Sequence, residues 1–178
     1  MADDTPSSRW KIAPIHGERM RQYFGRYGSF LQLWQTFELL PDLIIMRELR
    51  LTAREASIVC SDLFYSTKTN IALALLNENK EKNRAAISAF KAAQSAAERN
   101  DYTHSFLSLG DDGSIHRIRR VGKQGKYSVE VAVESVTSIQ NHADQFAIAY
   151  EKACNALHIT LEDSDAYVRA IESHASNQ

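Results

Sequence analysis

Ala97-Glu98-Arg99-Asn100-Asp101-Tyr102-Thr103-His104 lies where one texture of this chain ends and another begins. Upstream, from about Glu81 to Tyr102, the pattern predicts a helix rich in alanine (Ala85, Ala86, Ala89, Ala92, Ala93, Ala96, Ala97), with Ile87 and Phe90 its only large apolar residues. Alanine favours helix and lets a neighbouring helix approach to the near end of the roughly 8–10 Å packing range. Such a helix suits the middle of a bundle or a dimer interface. Downstream, Ser105 to Glu134 reads as strands divided by glycine turns: Phe106–Leu109, Ile115–Val121 and Tyr127–Val133. In the last of these, Tyr127, Val129, Val131 and Val133 alternate with Ser128, Glu130 and Ala132, the period of a half-buried strand.

Helical spacing surrounds this insertion on both sides. From Gly28 onward, Phe30, Leu33, Trp34, Phe37 and Leu40 share a face. Pro41 predicts a kink or a fresh helix start, continuing through Leu43, Ile44 and Arg47. Thr52-Ala-Arg-Glu55 is a capping box opening a helix whose apolar face reads Ala56, Val59, Cys60, Leu63 and Phe64. A polar break at Ser66–Thr69 precedes a short helix around Ile71 to Leu76. After the strands, Ile139, Ala143, Phe146, Tyr150, Ala153 and Leu157 mark one face of a long helix from about Val136. A terminal helix around Asp163 to Ser173 would turn Tyr167, Val168 and Ile171 inward. The expected fold is mainly α: a helical bundle with a small β-hairpin or meander, about residues 105–134, inserted before the last long helix.

With 178 residues, 44% hydrophobic and 24% charged, the chain has the size and balance of one well-buried globular domain. Residues 1–15 lack apolar periodicity and read as a mobile lead-in to a single domain over 16–178. Lys plus Arg number 21 against 22 Asp plus Glu, a net charge of −1, which excludes a globally basic nucleic-acid coat. The acidic start Met1-Ala-Asp-Asp is no signal peptide, and no apolar run approaches the roughly 20 residues of a membrane span. A cytoplasmic home without membrane contact is the expectation. Cys60 and Cys154 can form neither a disulfide framework nor a zinc site, and both fall in apolar helical stretches as small hydrophobes. His16, His142, His158 and His174 pair with no ligand at metal spacing, so no metal and no other cofactor is expected.

Arg99 and His104 carry the chemical interest. A guanidinium is a planar donor fork matched to phosphate oxygens, and an imidazole trades protons near neutral pH. Together, without a metal, they suit phosphodiester cleavage: the imidazole takes the proton from a ribose 2′-hydroxyl while the guanidinium holds the charge building on phosphorus. Geometry sets a condition. Five residues of ideal helix turn about 500°, leaving the two side chains roughly 140° apart, so the helix must unwind between them or a second subunit must contribute. Tyr102 could meet a phosphate or base, although packing is the commoner role of a tyrosine at a helix end.

Arg99-Asn100-Asp101-Tyr102-Thr103-His104 resembles the signature of HEPN (higher eukaryotes and prokaryotes nucleotide-binding) domains: arginine, a polar residue, and a histidine after four to six positions. The helical context and the insertion just after the motif resemble that family too, loosely over residues 30–157. The resemblance implies a homodimer with the two motifs facing across a shared cleft, and metal-independent endoribonuclease activity on RNA. In many members that activity serves a toxin, paired with an antitoxin, or a phage-defence effector. It makes Arg99 and His104 the catalytic pair and Asn100 the residue that orients them. Ser105 departs from the small glycine that often follows the histidine. Since many members are inactive, the alternative is a non-catalytic dimeric scaffold that binds nucleic acid or a protein partner. A plain helical interaction protein is the third reading.

The run from His116 to Lys126 holds five basic residues, Arg117, Arg119, Arg120, Lys123 and Lys126, and no acid. On a hairpin this is a compact positive surface, read either as a phosphate-backbone contact or as a solvated strand edge.

Overall fold

A computed structural model describes residues 17–98, 101–102, 104–110, 114–123 and 126–175, apart from the side chains at 109, 121–127 and 174–175. The expected lead-in, residues 1–15, lies outside them. In chain order come α1 (Glu18–Glu38), α2 (Leu40–Glu48), α3 (Ala53–Cys60), α4 (Tyr65–Glu78), α5 (Lys80–Ala96), β1 (Ser105–Leu109), β2 (Ile115–Lys123), β3 (Lys126–Glu134), α6 (Val136–Leu157) and α7 (Leu161–Ala175). The fold is mainly helical, with a small antiparallel sheet, in strand order β1-β2-β3, inserted before the last two helices. No described helix is long and apolar enough to cross a membrane.

α1 begins ten residues before Gly28, at Glu18, because Tyr23 and Tyr27 continue its apolar face and tertiary packing outweighs two helical glycines. Each glycine costs about 1 kcal/mol of helix propensity, which burying Tyr23 offsets. Pro41 sits in the first turn of a fresh helix, where its missing N–H costs nothing. α2 then buries Leu40, Leu43, Ile44 and Ile45 among its neighbours. The Thr52 capping box forms as expected, the Thr52 hydroxyl accepting from the Glu55 amide at 3.2 Å.

Four expectations are corrected. Ser66–Thr69 is no break: α4 starts at Tyr65 and buries Thr69. On α3, Ala56 and Cys60 face the core while Val59 is exposed, as is Phe64 just before α4; of the three α7 residues expected to pack inward, Tyr167 is buried while Val168 and Ile171 lie at the surface. The alanine helix ends at Ala96, well short of Tyr102. Its Ala86, Phe90 and Ala93 are buried and α5 runs along α6, the close approach that small side chains permit.

Candidate functional site at the end of α5

α5 stops because Glu98 takes a left-handed backbone conformation, φ 39°, directly after the Ala97 cap. A side chain there costs roughly 1–2 kcal/mol relative to glycine, so the packing around it must hold it. The Ala97 amide still bonds to Ala93 O at 3.1 Å, and the Asp101 amide to Glu98 O at 2.9 Å, giving a short turn through Asp101 and Tyr102. His104 follows in a turn, exposed, immediately before β1. Arg99 and Asn100 lie outside the described residues. Among the described residues of the motif, Asp101 and Tyr102 are helical and His104 is not.

Tyr102 is buried, 6% exposed, and is a core residue rather than an open ligand contact. The Tyr27 hydroxyl donates to Tyr102 O at 2.9 Å, and the Phe30 and His142 rings lie 5.2 and 4.5 Å from the Tyr102 ring. Burial pushes the Tyr102 phenol up to about 12. His142, on α6, places Nε2 3.3 Å from Ala97 O. A carbonyl only accepts, so Nε2 carries the proton. Burial lowers the pKa of this imidazole and favours its neutral form. His142 offers no metal-ligand spacing, but it stands three residues after Ile139 and four before Phe146, on the buried face of its helix. That spacing was the available signal.

The basic run does not form one surface. Arg117 turns inward: its Nε donates to Glu134 Oε1 at 2.6 Å, Nη1 to Asp101 O at 3.2 Å, and its guanidinium lies 4.4 Å over the Tyr102 ring. Glu134 is itself buried and accepts from Ser138 Oγ at 2.8 Å, beside the N-terminus of α6, whose amides favour negative charge. Burial is the largest single influence on Arg117 and opposes its charge, but the hydrogen bond and charge of Glu134, with Tyr102 and Asp101, together outweigh it and the guanidinium pKa rises. Arg119 is ion-paired with Asp101. Strand alternation sends Arg120 to the opposite face, exposed and 4.9 Å over the Phe106 ring. Lys123 and Lys126 pair across the β2–β3 end, their side chains outside the described residues.

Glu98 and Asp101, which flank Arg99 and Asn100, line a cleft of about 900 Å³ together with Trp34, Glu38, Tyr65 and Lys68. Phe64 stands at it, 83% exposed. Lys68 is held by Asp42 at 2.8 Å, so its charge is already answered. Carboxylates outnumber cations among the described lining residues. Among the described residues no His, Cys, Asp and Glu group of metal-binding size converges anywhere. Cys60 is buried, which pushes its thiol up to about 11, and Cys154 is half-buried with its thiol also raised by burial. No family model, no curated protein and no solved structure matches this chain.

Proposed function

We propose that this chain is a metal-independent endoribonuclease of the HEPN kind, acting as a homodimer on RNA. In this reading His104 is the base that takes the 2′-hydroxyl proton, Arg99 holds the charge on phosphorus, and Asn100 orients the pair. The observation that supports it is the turn at His104, exposed just before β1: His104 itself stands outside any helix, so the separation that one continuous helix would impose on Arg99 and His104 does not apply. The cleft beside Glu98 and Asp101 supplies room for a strand of RNA. Arg120, Lys123 and Lys126 remain as backbone contacts; Arg117 and Arg119 serve the fold. Cleavage in a toxin or phage-defence setting is the biological context the family resemblance suggests.

The test is RNA cleavage by purified protein in EDTA, with ends analysed for 2′,3′-cyclic phosphate. His104→Ala should abolish cleavage and leave the fold intact. Full cleavage by that variant overturns the assignment.

The acidic lining favours a second reading, a non-catalytic dimeric scaffold whose cleft takes a basic protein segment rather than RNA. It predicts partner binding indifferent to His104 and weakened by Glu98→Lys.

A further inference from the structure

Among the described residues β3 is an edge strand, with β2 as its one strand neighbour. The two edges of the sheet differ. β1 is short, Ser105–Leu109, and a short edge offers little to a foreign strand. β3 runs nine residues in unbroken register with β2, without a bulge, and from Tyr127 to Glu134 it holds neither proline nor lysine. Bulges, prolines and lysines are among the devices that block an open edge; β3 keeps Lys126 at its start and the carboxylates Glu130 and Glu134, which restrict the register of a partner strand. Its outward face carries Val129, Val131 and Val133, which are 48%, 58% and 72% exposed. The register Phe106↔Ile118↔Val131 sets two further apolar residues beside them.

We propose that β3 pairs antiparallel with β3 of a second copy, centred on Val131, joining two sheets into one of six strands. A two-fold interface must be self-complementary: residues equally distant from the centre meet. About Val131, Val129 meets the partner copy's valine at 133, and Glu130 meets an alanine. Both valine stripes become continuous and no glutamates oppose. Moving the centre to Glu130 sets that carboxylate against its own copy; moving it to Ala132 sets Glu130 against the glutamate at 134. Like charges directly opposite destabilise a strand pair, so the charges exclude those two centres; among the centres they allow, Val131 alone brings all three valines of both copies into the seam. Strand pairing alone buries less than the roughly 800 Å² per partner of a standard interface, so the dimer is concentration-dependent. No described β3 residue lines the cleft, and this interface goes beyond the ribonuclease reading without resting on it.

The test is disulfide trapping in the full chain. At the two-fold, facing Cα atoms stand about 4.5–5.5 Å apart, inside the disulfide range. Two copies of position 129 stand about 14 Å apart, outside it. Under mild oxidation, Val131→Cys should form a covalent dimer at least about tenfold faster than Val129→Cys. The unmodified protein reports any background from Cys60 and Cys154. Equal rates, or no trapped dimer from Val131→Cys, overturn the proposal. Sedimentation gives the second measurement: Val131→Lys, at an exposed position, should weaken self-association at least about tenfold, whether β3 joins two single chains or two dimers formed through the motif face. Unchanged self-association at every step overturns the pairing. His104→Ala should leave trapping as it was while removing cleavage, so the two proposals fail separately.

Discussion

Arg117 and Glu134 meet 2.6 Å apart on the inner side of the sheet, on neighbouring strands, with the Tyr102 ring beneath the guanidinium. The pair ties β2 to the strand that leads into α6, and through Asp101 O to the turn that follows α5. It is a fixture of the fold that holds the motif segment against the bundle.

Removing one partner strands the other charge out of water. Arg117→Ala should cost about 3–5 kcal/mol of stability, because Glu134 is left buried and unpaired. Urea denaturation reads this. A variant of unchanged stability that instead binds RNA more weakly would make Arg117 a surface contact.

His142 supplies a pH dependence. Its pKa is lower in the folded protein than the ordinary 6.5, because burial disfavours the imidazolium. The unfolded chain then binds more protons in that range. The stability from His142 is complete above about pH 6.5 and declines as pH falls through the unfolded value toward the folded one. Thermal midpoints from pH 7.5 to 5 should show this decline, and His142→Gln should flatten it. An equal decline in the variant would assign the effect elsewhere.

The left-handed Glu98 should respond to asparagine, which tolerates that conformation better. Glu98→Asn is expected to raise stability by about 0.5–1 kcal/mol, read by denaturant midpoint. A loss of stability would mean that the glutamate side chain holds the turn.

Tyr102→Phe should leave both stability and any RNA cleavage near the unmodified level, since the ring is the packed part. Tyr102→Ala should cost about 3–5 kcal/mol. Loss of cleavage in the phenylalanine variant, with stability kept, would place the hydroxyl on substrate.

Thr52→Ala removes the hydroxyl that accepts from the Glu55 amide, and should cost about 0.5–2 kcal/mol. Chemical denaturation against the unmodified protein checks it, and no change would mean the cap is made by water.

The helices were legible where a local rule decides them. Thr52 and Glu55 cap α3 by their own spacing, Pro41 starts α2 because of its ring, and Ile139, Phe146, Ala153 and Leu157 recur on one buried face. The candidate motif was legible as a string of residue types. Its setting was not. Nothing in Ala96-Ala-Glu98 announces a helix end, for no glycine or proline stands there; the left-handed turn at Glu98 is held by contacts to distant residues such as His142 and Tyr27. The basic strand misled for a related reason, since a run of charges does not say which members find acids elsewhere in the chain.

By itself the sequence determined the helical class, the place of the strands and their period-two alternation, because these follow from backbone geometry and neighbouring side chains. Alternation defines two faces without saying which one meets the core. Only the tertiary structure decided that Arg117, beside Glu134 and Tyr102, takes the inner face while the valines of β3 face outward. The physical reason is that a buried charge needs its partner within hydrogen-bond reach, and that partner, Glu134, is brought there by the pairing of β3 with β2, a contact seventeen residues away in sequence that local alternation does not announce.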